Sequence, residues 1–73
     1  MTKSNFSRNL QYYRRKAGLT QAQLADKLPC YVGTIARWER GARSPSLYGL
    51  GCLARALGVT ESDLLERRNE DGK

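Results

Sequence analysis

The sequence predicts an all-α domain built from five short helices. Apolar residues recur at three- and four-residue intervals in five separate stretches, and each stretch opens on a capping residue or closes on glycine or proline. No stretch sustains the period-two alternation of a half-buried strand. The 73 residues suit one small domain with one modest core, placed at 1–66 and followed by a polar, frayed tail at 67–73. There is no internal repeat and no low-complexity run.

Phe6, Leu10, Tyr13 and Ala17 mark one face of the first helix, with Ser4 or Asn5 as its cap and Gly18 as a left-handed stop. The second helix spans residues 21–28. Thr20 and Gln23 have the spacing of a capping box, and Leu19 and Leu24 that of a hydrophobic staple. Leu24, Ala25 and Leu28 form its seam, and Pro29 blocks its continuation. The third helix covers residues 32–40 and stops at Gly41. Ile35 and Trp38 turn inward, which leaves Val32, Gly33, Ala36 and Arg37 on another face. Residues 42–46 form a loop in which Ser44 or Ser46 caps the fourth helix. Leu47, Leu50, Leu53, Ala54 and Leu57 mark that helix, and Gly58 ends it. Thr60 caps the fifth, with Asp63 at the third helical position and Leu64 and Leu65 directed at the core.

Thirteen basic residues face seven acidic ones, for a net charge of +6. Residues 1–18 carry +5 of it and residues 61–73 carry −2, so the excess precedes the last helix. Such asymmetry favours a polyanionic partner, nucleic acid before membrane, against the plainer reading of a solvated basic face. With no histidine and only Cys30 and Cys52, a protein-built zinc site lacks ligands and acid–base catalysis lacks its commonest base. Nothing resembles a signal peptide or a membrane span, so the expectation is a cytoplasmic, non-enzymatic chain with reduced thiols and no cofactor. A short helix with a buried seam and an exposed, small-residue, arginine-bearing face fits a DNA major groove.

GLTQAQLA at 18–25, TIARWERG at 34–41, PSL at 45–47 and LARALGV at 53–59, followed by Leu64 and Leu65, carry a family likeness. Phe6, Leu10 and Tyr13 add the first-helix seam. On these residues the chain resembles the Cro and phage-repressor class of helix-turn-helix domains, the xenobiotic-response-element-like family, over residues 5–66. The resemblance implies a compact five-helix, lambda-repressor-like domain whose helices 2 and 3 form the helix-turn-helix. It also implies binding to double-stranded operator DNA as a symmetric homodimer, with no membrane and no evident small-molecule ligand. The third helix of such a domain enters the major groove, and the second rests on the phosphate backbone.

By that likeness Gln21 matches a phosphate-contacting glutamine, beside the plainer reading of a solvated first-turn residue. Arg37 matches a base-reading position, where a guanidinium can hold guanine O6 and N7; a phosphate contact is its alternative. Val32 and Ala36 can meet a thymine methyl, Thr34 a base or phosphate, and Gly33 lets the backbone approach a base. Arg40 and Arg43 fall where phosphates run. Arg14 matches an arginine that pairs with the glutamate of the WERG motif, here Glu39, so both are assigned to structure. Trp38 is assigned to the core, and Cys30 to a small apolar turn position where a buried thiol is expected. Cys52 lies off the leucine seam.

Two residues depart from the family pattern. Pro29 stands where glycine is usual and cannot adopt positive φ. Tyr31 stands where a short capping side chain is usual, which costs about 1 kcal/mol at the third helix. Its hydroxyl is a candidate phosphate contact. The resulting reading is a sequence-specific regulator, a repressor by resemblance, with little room for a separate effector domain. Two rivals stay open. One keeps the fold, as a DNA-binding antitoxin or a restriction-system controller; the other is a protein-interaction module that has lost DNA binding.

Overall fold

The computed structural model describes residues 4–67, whose backbone forms α1 (Asn5–Lys16), α2 (Gln21–Asp26), α3 (Val32–Arg40), α4 (Leu47–Leu57) and α5 (Glu61–Leu65). Four of the five helices begin on a hydroxyl. Ser4, Thr20, Ser46 and Thr60 accept from the backbone N–H three residues on, at 3.0–3.2 Å. Thr20–Gln23 and Thr60–Asp63 close reciprocally as capping boxes. The exception is α3: Tyr31 precedes it in an extended conformation and makes no side-chain cap bond. The helix nonetheless starts at Val32.

The turn between α2 and α3 is made without a left-handed residue. The α-helix ends at Asp26, not at Leu28, because Lys27 and Leu28 donate three residues back, to Leu24 and Ala25, at 3.0 and 3.1 Å. These tighter bonds bring the chain round to Pro29 at negative φ, since only glycines have positive φ among the described residues. Gly41 then ends α3 at φ 80°, which lets Ala42 N–H reach back to the Arg37 carbonyl at 2.9 Å.

α1 packs on α3 and α5, α2 on α3, and α4 on α5. Phe6 and Leu10 from α1 meet Leu24, Ala25, Ile35, Trp38, Leu50, Leu53, Ala54 and Leu64 in one core. Phe6 sets its ring edge-on to Trp38, with centroids 6.3 Å apart. Three expected core residues lie outside it. Ala17 is exposed because it caps α1 and sits beyond the helix's last turn. Leu47 is 84% exposed, one turn ahead of Leu50 at the open end of α4. Leu65 is 50% exposed while Leu64 is fully buried, because successive helical residues point about 100° apart and only one can face the core. Of the expected polar tail, Arg67 is exposed and residues 68–73 lie outside the described residues.

Candidate nucleic-acid interface

α3 is fastened from behind by polar side chains. Arg14 reaches from α1 to Glu39, its Nε and Nη2 donating to the two carboxylate oxygens at 2.5 and 3.0 Å. Its Nη1 donates to the Leu19 carbonyl at 2.8 Å, so one guanidinium spans α1, the first turn and α3. The hydrogen bond to Glu39 raises the Arg14 pKa above its ordinary value, against the desolvation that lowers it. Gln21 Nε2 also donates to Glu39, at 3.1 Å, which ties the start of α2 to the end of α3. Gln21 is therefore half-buried and bonded, not a solvated first-turn residue. Ser7 Oγ donates to the Trp38 carbonyl at 2.7 Å, a fourth link.

The opposite side of α3 carries the residues that the sequence pattern set apart. Val32, Gly33, Arg37 and Arg40 are exposed and Ala36 is half-buried. Along this side the surface is low, with no side chain at Gly33 and one methyl at Ala36. Arg37 folds back over the gap, its Nη1 4.0 Å from where a Cβ on Gly33 would sit. Arg37 and Arg40 lie in the last turn, where the helix dipole favours cations even in the absence of a ligand. Thr34 stands apart from this set. It is half-buried on the wall of a groove shared with Trp38 and α4. Tyr31, 84% exposed, projects just ahead of the helix, and Arg43 is exposed in the loop behind it. Cys30, expected to be buried, is only half-buried because it lines the same groove as Thr34.

The sequence pattern did not single out two buried polar residues of α1. Asn9 Nδ2 shares its two N–H groups among the carbonyls of Asp63, Leu64 and Glu66, at 3.1, 3.0 and 2.5 Å, and so engages the orphan carbonyls at the end of α5. Ser7 holds α3 as described. Asn9 sits three residues after Phe6 and four before Tyr13, inside the apolar seam, and that position was the available signal.

A protein-family model described as a helix-turn-helix domain matches residues 5–67. The chain is 37% identical over 60 residues to the HTH-type transcriptional activator BcrR of Enterococcus faecalis, a match covering 82% of this chain and 29% of that protein. It thus spans less than a third of that curated relative's length. Its fold matches the restriction-modification controller protein C.AhdI of Aeromonas hydrophila with a TM-score of 0.78 at 32% identity, covering 82% of this chain and 87% of the other. It matches the P22 c2 repressor protein, solved in complex with a synthetic operator, with a TM-score of 0.80 at 27% identity, covering 92% and 100% of the two chains. The five-helix, all-α architecture implied by the family resemblance is the one the described residues have. Over residues 5–67, from the first residue of α1 to two residues past α5, the chain belongs to the helix-turn-helix domain family.

Proposed function

We propose that this chain is a sequence-specific transcriptional regulator that binds double-stranded operator DNA as a homodimer and represses by occupying a promoter. It does so in the cytoplasm, without a cofactor, a small-molecule ligand or a chemical step. The observation that carries this reading is the contrast across α3: a low, arginine-bearing exposed side on a helix fastened from behind by Arg14, Gln21 and Ser7. A side chain that reads a base must be held to within a fraction of an ångström, and a rigid support supplies that.

Arg37 is assigned to guanine O6 and N7, with Val32 and Ala36 against thymine methyls and the Gly33 backbone close to a base edge. Thr34, on the groove wall, is placed at the edge of this footprint. Gln21 uses the second N–H of its amide for a phosphate oxygen, the first being held by Glu39. Tyr31, Arg40 and Arg43 take flanking phosphates. Leu47, Tyr48 and Leu65, all exposed, offer apolar surface to a second copy, whereas Leu64 is buried and takes no part.

Selection of bound duplexes from a random pool tests the whole reading. A two-fold symmetric site with half-sites about 34 Å apart, one helical turn, is expected. Binding to random duplexes should weaken with salt at a slope of roughly −0.9 for each phosphate contact. No enriched sequence and no salt dependence would leave a protein-interaction module instead. A second reading, a restriction-system controller, is favoured by the likeness to C.AhdI over most of both chains. It shares the same DNA contacts and is separated by whether an endonuclease gene lies beside this one.

A further inference from the structure

The exposed side of α3 has a restricted chemistry. Val32, 45% exposed, and Ala36 stand one turn apart in one row, and Gly33 and Arg37 stand one turn apart in the row beside it. Arg37 lies along this surface, since its Nη1 comes within 4.0 Å of the position of a Cβ on Gly33. The helix contains no asparagine or glutamine. Its one acid, Glu39, is 3% exposed with both carboxylate oxygens held by Arg14. On α2, Gln21 Nε2 is bonded to Glu39 and Gln23 Oε1 accepts from the Thr20 N–H.

These residue types limit which base edges can be told apart. An amide is the side chain that pairs with adenine N6 and N7, and a carboxylate the one that accepts from cytosine N4. The exposed side of α3 offers neither. The hydroxyls of Thr34 and Tyr31 each donate and accept, so neither separates a thymine O4 from a cytosine N4 amino group. What remains is a guanidinium, suited to guanine O6 and N7, and apolar surface at Val32 and Ala36. In the major groove that surface has one partner, the C5 methyl of a pyrimidine. Thymine always carries this methyl; cytosine carries it only after methylation at C5.

We propose, on the basis of the operator-binding reading above, that α3 reads the C5 methyl and not the pyrimidine that bears it. In a half-site that presents a guanine to Arg37, 5-methylcytosine then serves in place of thymine. Methylation of a cytosine at that position converts a weak site into a strong one. Occupancy follows the methylation state of the DNA, with no change in the protein. Burial of one methyl corresponds to about 4-fold in affinity, and of a symmetric pair in two half-sites to about 15-fold.

The test starts from the duplex selected out of a random pool and measures binding of the full chain by fluorescence anisotropy at fixed salt. Each thymine is replaced, symmetrically in both half-sites, by deoxyuridine, by 5-methylcytosine and by cytosine, the last two paired with guanine. Thymine against deoxyuridine, and 5-methylcytosine against cytosine, each differ by one methyl alone. At one thymine position or more, both ratios should be about 15-fold in favour of the methyl. Both should fall toward one in a Val32→Ala, Ala36→Gly double variant, or in Val32→Ala alone if the double variant does not fold. An enriched site in which deoxyuridine binds as well as thymine everywhere would overturn the inference and leave operator binding intact. So would 5-methylcytosine that binds no better than cytosine where thymine exceeds deoxyuridine, or ratios unchanged in the variants. A chain that enriches no duplex overturns both readings together.

Discussion

On one side of α3, Trp38 packs edge-on to Phe6, its carbonyl accepts from Ser7, and Glu39 is bonded to both Arg14 and Gln21. On the other side, Arg37 has no ion-pair partner among the described residues, Gly33 leaves a gap, and Tyr31 ahead of them contributes no cap. Residues of the first kind act on each other, so removing one strands its partners. Those of the second act on little within the chain, so their substitution should leave the fold nearly unchanged. Stability and recognition are thus written on opposite sides of one nine-residue helix, and each can be perturbed while the other is read out.

The largest effect is expected behind the helix. Glu39→Ala removes the acceptor for Arg14 and Gln21 and leaves a buried guanidinium uncompensated, a loss of about 3–5 kcal/mol. For a domain of this size that is a large part of the stability. Urea denaturation should show a lower midpoint at an unchanged m-value. A loss below about 1 kcal/mol would mean that the pair is solvated like a surface salt bridge.

On the exposed side, Arg37→Ala should cost about 1–3 kcal/mol at the preferred duplex and relax its base preference. The urea midpoint should stay within about 0.5 kcal/mol of wild type, as for surface substitutions generally. Equal weakening on all duplexes would reassign Arg37 to a phosphate. Gln21→Ala bridges the two classes, because its amide is bonded to Glu39. It should weaken binding uniformly across sequences and lower stability by about 1 kcal/mol.

The same contrast explains what was legible in the sequence. Helix positions followed from capping hydroxyls, glycine stops and apolar periodicity, all of which act within a few residues. Where they misled at Leu47, the cause was distance: it carries the apolar signal, but whether the core reaches it depends on how α4 packs on α5. At Leu65 the cause was local, since it adjoins Leu64 and only one of the two can face the core. Asn9 reads as a polar interruption of the α1 seam until α5 brings its carbonyls there. The pairing of Arg14 with Glu39 came only through family likeness, since a separation of 25 residues gives no local signal. Gln21's bond to Glu39 had no sequence signal at all. The exposed side of α3 was easier, because it is defined by helical phase alone.

Tyr31→Ser tests the junction between the two sides. The serine hydroxyl can accept from the free N–H groups of the first turn, so α3 should gain about 1 kcal/mol of stability. Duplex affinity should fall if the tyrosine hydroxyl holds a phosphate, and Tyr31→Phe should then show the same fall. Unchanged affinity in Tyr31→Phe removes that contact from the footprint.

Gly33→Ala gives the smallest effect and the sharpest separation. Gly33 lies inside α3 with negative φ, where glycine is about 1 kcal/mol less favourable than alanine. A methyl there would meet only Arg37 Nη1, at 4.0 Å, so nothing in the chain opposes it. The fold should therefore gain about 0.5–1 kcal/mol, read as a higher urea midpoint. On DNA the same methyl stands where the backbone is assigned to approach a base edge, and it lifts the surface on which Arg37 lies. Affinity for the preferred duplex should drop while stability rises, a change of opposite sign in the two measurements. If both rise together, Gly33 is not at the interface, and the footprint on α3 shifts toward Arg37 and Arg40.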